Sequence, residues 1–233
     1  MSHLRIISGI FQKQVKDILK NIQVLILFIV FPIVALVMTN AIPEEMGQGT
    51  FFISIFASMH FVFTPIVAVV SIIAEEKEKG TLRTLIMSNV KPLDYLISIG
   101  GCMFVCTAVS GLSFALIGGY TGERLANFII AMIVGSSCSI ILGLTLGGFS
   151  KNTAAANALA VPIGMVFGFL PMIAAFNDIV MKISKFTYGQ QVSNLIASSN
   201  LDISLSSALT ILANLFIFII AFVFVFRKNR LEE

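Results

Sequence analysis

Few side chains in this sequence could do acid–base or metal chemistry within its long apolar runs. His60 and three cysteines, Cys102, Cys106 and Cys138, lie in such runs, whereas no Asp, Glu, Lys or Arg lies near the centre of one. Carriers driven by protons or sodium ions hold the coupling ion with carboxylates inside the membrane. The sequence therefore disfavours an ion-coupled carrier, and equally a membrane enzyme built on a carboxylate pair.

Neither the histidine nor the thiols form a recognisable reactive site. A lone histidine in an apolar run is more often a packed polar residue, hydrogen-bonded to a neighbouring helix, than a proton relay. Cys102 and Cys106 share a helix face at four-residue spacing and could hold a soft metal, but no histidine, methionine cluster or carboxylate recurs beside them. We therefore expect small-residue helix packing at the cysteines, with no metal site and no catalytic site.

The sequence contains no phosphate-binding loop for a nucleotide. The sequence lacks the GxxxxGK[ST] loop whose backbone amides cradle phosphates. Any work done with ATP would therefore be done by a partner, and we expect no cofactor bound directly and no nucleic-acid partner.

The elements that must position these residues are membrane spans. Apolar residues make up 57% of the chain and charged residues 12%, whereas soluble domains carry roughly 25% charged residues. Each span needs about 20 apolar residues to cross the hydrocarbon layer. The sequence predicts an all-α integral membrane protein whose domain at 22–226 has six transmembrane helices, at 22–41, 51–74, 95–118, 126–149, 154–175 and 207–226.

Basic residues predict the orientation of these spans. If the N-terminus is inside, only Arg124, Lys182 and Lys185 of the 15 lysines and arginines lie outside. Because cytoplasmic loops carry the excess of positive charge, we expect both termini in the cytoplasm, the tail at 227–233 included. The protein is then a multi-pass protein of the cell membrane.

Residues 1–21 predict an amphipathic helix at the membrane surface. One stripe holds the apolar residues Leu4, Ile7, Phe11, Val15, Ile18 and Ile22. Lys13, Lys16 and Lys20 fall on the opposite side, which suits contact with anionic lipid headgroups. The alternative is a cytosolic start whose periodicity is accidental.

The segment 176–206 is the one long connection on the outside. It is semi-apolar but too polar to cross the hydrocarbon layer, and a structureless loop of this length is uncommon. We expect two short helices broken near Tyr188 and Gly189, dipping into the outer leaflet or capping the bundle.

Five consecutive charged residues follow the second span, and we call them the charged string: Glu75, Glu76, Lys77, Glu78 and Lys79. They continue the second helix into water, Gly80 breaks it, and Thr81 is a suitable N-cap for a new short helix within 80–90. In that helix Leu82, Leu85 and Ile86 share one face and Arg83 points elsewhere. An exposed apolar face of this kind usually marks a contact with another protein; the alternative is an ordinary charged turn.

The run EEKEKGTLRTLIMSNVKPLDYLIS resembles the signature loop of type-2 ATP-binding-cassette (ABC) exporter permeases. The matching residues are Glu76, Lys77, Glu78, Gly80, Thr81, Leu82 and Leu85. Lys79 stands where that family more often has arginine. The run ISKFTYGQQVSNLI also resembles the family's segment before its last span.

This resemblance implies a transport subunit, not an enzyme, in a bacterial cell membrane. In such permeases the short helix couples to a separate ABC ATPase, which binds ATP and Mg²⁺, and two permease chains face each other through their first and fifth spans. By resemblance Thr81, Leu82, Arg83, Leu85 and Ile86 would fit a groove on the ATPase, with Gly80 as the break before them. Glu75, Glu76 and Glu78 would form the charged approach to that groove.

The substrate is less constrained. A path without charges suits a hydrophobic or amphipathic cargo such as an antimicrobial peptide, a drug or a lipid-like compound. Candidate path residues are Phe56, His60, Phe63, Asn157 and Met165, although such side chains could equally face lipid or core. The alternatives are a sodium-exporting subunit and a scaffold or immunity protein without transport.

Overall fold

The computed structural model describes residues 3–41, 49–87, 90–198, 200 and 204–231. Within these residues all regular secondary structure is helical, as predicted. The helices are α1 His3–Lys20, α2 Ile22–Ala41, α3 Gly49–Glu78, α4 Thr81–Met87, α5 Pro92–Ile117, α6 Gly122–Phe149, α7 Thr153–Ala174, α8 Asp178–Ser184, α9 Tyr188–Ala197 and α10 Leu205–Leu231.

Six of these helices, α2, α3, α5, α6, α7 and α10, are long and apolar enough to cross a membrane. The predicted six-span fold is therefore confirmed. The largest difference in length is at the C-terminal end of α10, which runs on to Leu231. Lysine and arginine favour helix, so this basic end extends the apolar helix instead of ending it.

The helix α3 is the centre of the bundle. Its span is 94% buried, and it packs against α2, α5, α6, α7 and α9. Glycines allow this close packing: Gly164 and Gly168 of α7 lie against Phe63, and Gly143 of α6 lies against Val69. By contrast, the spans of α2 and α10 are only 22% and 17% buried, which leaves most of their apolar surface outside the bundle.

The helix α1 is amphipathic, but its inner face differs from the predicted stripe. It packs against α5 and α2, and its most buried residues are Ile10, Gln14 and Ile18. The expectation that Lys13 points away from the bundle is wrong, because its ammonium group pairs with the buried Glu76. A buried carboxylate needs a charged partner, and this requirement outweighs the apolar periodicity. Lys16 and Lys20 are exposed, as expected.

The segment before α10 forms two short helices with a break near Tyr188, as predicted. The break itself lies at residues 185–187, and Tyr188 is the first residue of α9, so Gly189 is not part of the break. The Thr187 hydroxyl caps this helix by accepting a hydrogen bond from the backbone N–H of Gln190 (3.3 Å). Gly189 serves packing instead, since a Cβ there would lie 2.1 Å from the Phe167 carbonyl oxygen. The helix α9 is buried against α6, α3 and α7, whereas α8 is largely exposed.

Candidate functional site

The charged string is the last turn of α3, at the end of the bundle that carries α4. Glu75 accepts a hydrogen bond from Asn21 Nδ2 (2.8 Å), the residue that joins α1 to α2. It also pairs with Lys79 one turn later. The hydrogen bond between Lys79 and the Glu75 carboxylate raises the pKa of Lys79. The first residue of the string thus fastens the junction between α1 and α2 to the central helix.

Glu76 is the buried member of the string, with 6% of its surface exposed. Its carboxylate accepts from Gln14 Nε2 (2.7 Å) and pairs with Lys13, both on α1. Its second oxygen accepts from the Tyr95 hydroxyl of α5. A carboxylate removed from water is tolerated when such donors satisfy it, so Glu76 joins α1 and α5 to α3.

Lys77 caps the end of α6. Its ammonium group donates to the carbonyl oxygens of Gly147 (3.0 Å), Gly148 (2.7 Å) and Ser150 (3.2 Å). The last carbonyl groups of a helix lack partners within it and carry the negative end of the helix dipole. A lysine with three donors satisfies both needs, so Lys77 joins α6 to α3.

Glu78 caps the start of α7, as Lys77 caps the end of α6. Its carboxylate accepts from the Thr153 backbone N–H (3.1 Å) and from the Thr153 hydroxyl (2.5 Å). Free N–H groups and the positive end of the dipole favour a carboxylate at this position. Four consecutive residues of the string therefore each fasten a different part of the bundle to α3.

The helix α4 follows directly after a tight turn. Gly80 has a φ of +68°, which a residue without Cβ adopts at little cost. The Thr81 hydroxyl donates to the Glu76 carbonyl oxygen (3.1 Å), which holds the start of α4 against α3. The predicted helix break and new short helix are therefore present.

The exposed surface of α4 differs from the predicted apolar face. Leu85 is half-buried and packs against the core cluster that α1 and α5 share. Thr84 is exposed, and Met87 is 80% exposed. Leu85 was expected to point outward, but packing under the bundle holds it inward. The side chains of Leu82, Arg83 and Ile86 lie outside the described residues.

Sequence reasoning found the charged string but missed its partners. Glu75, Glu76 and Glu78 were assigned to the approach of a partner's groove, whereas their carboxylates contact helices of this chain. A role for them at an ATPase stays a prediction. The missed partners include Lys13, Tyr95 and Thr153; Lys13 is 63 residues from Glu76 and Thr153 is 75 from Glu78. The only signal was a charged string too long for a simple turn.

The sequence from residue 38 to residue 227 matches the model of a protein family described as ABC-2 family transporter protein. The chain belongs to the ABC-2 transporter family. No curated protein matches the sequence. The matched residues include the charged string, α4 and every span from α3 to α10.

Membership makes the chain the membrane component of an ABC transporter, a permease and not the ATPase. It implies association with an ABC ATPase. Six apolar helices and the family together make it a multi-pass membrane protein.

His60 lies in the core of the permease, fully buried among the rings of Phe28, Phe31, Phe61 and Phe114. Its Nε2 is 2.6 Å from the hydroxyl of Ser110 on α5, which confirms the expected hydrogen bond to a neighbouring helix.

His60 has a second partner on its other ring nitrogen. Its Nδ1 is 3.1 Å from the Thr64 hydroxyl, which itself donates to the Leu27 carbonyl oxygen of α2 (3.1 Å). The Ser110 hydroxyl also lies within hydrogen-bond distance of the carbonyl oxygens of Cys106 (3.0 Å) and Thr107 (3.1 Å). Through these contacts the imidazole links α2, α3 and α5.

The other candidate path residues lie in different surroundings. Phe63 is buried between Phe31 of α2 and Phe169 of α7, with both ring centroids 5.9 Å away. Phe56 is half-buried, and Asn157 accepts from the Ser71 hydroxyl (3.0 Å). Met165 is 47% exposed on the outside of α7. These residues and His60 therefore do not share one surface of the described structure, and their role in a path stays a prediction.

Proposed function

We propose that this permease is the membrane subunit of an ATP-driven exporter and that α4 is its coupling helix, the contact with the ATPase. One observation carries the proposal: the charged string, which joins α1, α5, α6 and α7 to α3, stands directly before α4. If the ATPase displaced α4, the hydrogen bonds and ion pairs of the charged string would transmit the movement to all these helices together. The family's requirement for a separate ATPase supports this role.

The proposed orientation puts α4 in the cytoplasm. The excess of lysine and arginine in the α1, charged-string and C-terminal segments supports this orientation. In this arrangement both termini and α4 face the side on which ATP is available. The same argument makes the α8–α9 segment external, in a cell membrane that we take to be bacterial.

The contact surface that we propose on α4 is centred on Met87, with Thr84 one turn earlier. Leu82, Arg83 and Ile86 keep the role that the family resemblance implies. Leu85 and the buried Glu76 instead support α4 from the side of the bundle. A large exposed methionine suits such a contact because its flexible side chain adapts to a partner's groove.

A second permease chain would complete the transporter. We propose the outer faces of α2 and α7 as the surfaces that meet, because these helices flank Phe63 and their spans are only 22% and 28% buried. A path between two such chains would be apolar and would suit a hydrophobic or amphipathic substrate. The candidate substrates are the peptides, drugs and lipid-like compounds named above.

Co-purification of the full chain with candidate ABC ATPases tests the proposal. The variant Met87→Asp places a charge in an apolar contact and should reduce ATPase recovery about tenfold or more. Met87→Leu is the matched control, because it preserves the apolar volume and should recover the ATPase normally. Equal recovery of the ATPase with both variants would show that Met87 of α4 does not contact the ATPase. Failure of every candidate ATPase to associate would favour a scaffold or immunity role instead.

A further inference from the structure

A cavity of about 590 Å³ opens between α1, the start of α2 and the end of α3. This size is within the range of small-ligand sites, about 300–1,000 Å³. Its lining includes Gln14, Asp17 and Lys20 of α1 and Glu75 of the charged string. The proposed coupling helix starts at its edge, since Thr81 also lines it.

Gln14, one of the residues that line the cavity, holds an unsatisfied acceptor. Gln14 is 1% exposed, and its Oε1 has no hydrogen-bond partner among the described residues. Its amide group cannot be reversed, because Nε2 donates to the Glu76 carboxylate at 2.7 Å. A buried acceptor without a partner costs free energy. A ligand that donates a hydrogen bond would satisfy this acceptor, whereas a phosphodiester group has no proton to donate.

The cavity is lined by equal numbers of positive and negative side chains, and not all of them are in ion pairs. Its lysines, Lys13, Lys20 and Lys79, face as many carboxylates, from Asp17, Glu75 and Glu76. Lys20 is exposed and has no ion pair within the described chain, and Asp17 pairs with Lys13 only at 3.5 Å. Sites for purely anionic lipids are clusters of basic residues. This balance suits a zwitterion, with an ammonium group toward Asp17 and Gln14 and a phosphate toward Lys20.

The mouth of the cavity leads onto apolar surface. Ile22 lines the cavity and is 65% exposed, and Ile26, one turn further along α2, is also exposed. Residues four apart lie on the same helix face. This face belongs to a span that is only 22% buried, so an acyl chain attached to a ligand in the cavity would run along it into the hydrocarbon layer.

We propose that this cavity binds the phosphoethanolamine headgroup of a bilayer lipid. The ammonium group donates to Gln14 Oε1 and pairs with Asp17, the phosphate pairs with Lys20, and the acyl chains follow Ile22 and Ile26. A lipid bound there holds α1 against the charged string next to α4. The proposal concerns binding alone and does not depend on the substrate or on the direction of transport.

Native mass spectrometry of the full chain in detergent tests this site. The probes are phosphatidylethanolamine and phosphatidylglycerol with identical acyl chains, added in equal amounts. Wild type should retain phosphatidylethanolamine about tenfold more than phosphatidylglycerol. Asp17→Asn and Lys20→Gln should each lower its retention about tenfold, the effect of one charge-assisted contact. Lys16→Gln, an exposed lysine of the same helix outside the cavity, is the matched control and should bind like wild type.

Three results would overturn the proposal. The first is equal or stronger retention of phosphatidylglycerol by wild type. The second is a loss in Lys16→Gln as large as that in Lys20→Gln, which would indicate general attraction to lipid. The third is displacement of the lipid by free phosphoethanolamine at equal concentration, which would make a soluble molecule the ligand. Asp17 and Lys20 are both exposed, so their variants should fold, and unfolding temperatures verify this.

Discussion

The Tyr95 hydroxyl of α5 donates a hydrogen bond to the Glu76 carboxylate of α3, and both side chains are buried. The chain between these two residues contains Gly80 and the whole of α4. The bond therefore closes a loop at whose tip α4 stands, and α4 is tied to α3 at one end and to α5 at the other. A force on α4 cannot move one of these helices without stretching this bond.

Replacing Tyr95 by phenylalanine should lower the stability of the permease. The change removes one donor to a buried carboxylate, and hydrogen bonds to charged groups contribute about 1.5–3 kcal/mol. The measurement is the unfolding temperature in detergent. Tyr120→Phe is the matched control, because among the described residues its hydroxyl bonds only the neutral Ser54 hydroxyl, at 3.3 Å, and its loss should cost about 1 kcal/mol or less. Equal losses in the two variants would show that Glu76 does not depend on Tyr95.

Composition and periodicity predicted the spans because each depends on about 20 neighbouring residues. The charged string could be predicted for the same reason. Its partners could not, because Lys13 and Thr153 lie far away in sequence and their distances depend on how the helices pack. Lys13 shows the difference: local periodicity put it opposite the apolar stripe, whereas the buried charge of Glu76 draws it inward.

The role of Gly189 was predicted wrongly for a related reason. Gly80 was correctly predicted to break a helix, and its positive φ agrees. Gly189 was given the same role, but it lies inside α9 at a close approach to α7. Sequence alone does not separate a glycine needed for its backbone angle from one needed for its small size.

Replacing Lys77 by methionine should uncouple α6 from α3. The variant keeps the unbranched apolar part of the side chain but leaves the carbonyl groups at the end of α6 without their charged donor, at a cost of about 3 kcal/mol. We expect a lower unfolding temperature and, with the ATPase still bound, less transport per ATP hydrolysed. Lys79→Met is the matched control, because that exposed lysine pairs only with Glu75 among the described residues and should change little. Normal transport by the Lys77 variant would show that the string does not transmit movement.

A double-mutant cycle tests the contact between His60 and Ser110. His60→Leu and Ser110→Ala remove the two sides of one hydrogen bond, so their effects on the free energy of unfolding should fall short of additivity by about 1 kcal/mol. The control cycle pairs His60→Leu with Ser71→Ala, whose hydroxyl bonds Asn157. Ser71 lies about 16 Å along the helix from His60, so this cycle should be additive within about 0.5 kcal/mol. An additive His60–Ser110 cycle would show that the two side chains do not share a stabilising hydrogen bond.

Gly189→Ala should separate α9 from α7. A Cβ at this position would lie 2.1 Å from the Phe167 carbonyl oxygen, and a backbone atom cannot turn aside as a side chain can. The helices must therefore move apart, which also disturbs the buried hydrogen bond between Tyr188 and Ser139 (2.9 Å). Overpacking of this kind costs about 1–3 kcal/mol or more. Gly9→Ala is the control: its Cβ would meet nothing within 4 Å, so alanine should stabilise α1 by about 0.5–1 kcal/mol. Opposite shifts in unfolding temperature are thus expected from the same substitution, and a Gly189 variant as stable as wild type would mean that α9 is not packed against α7 this closely.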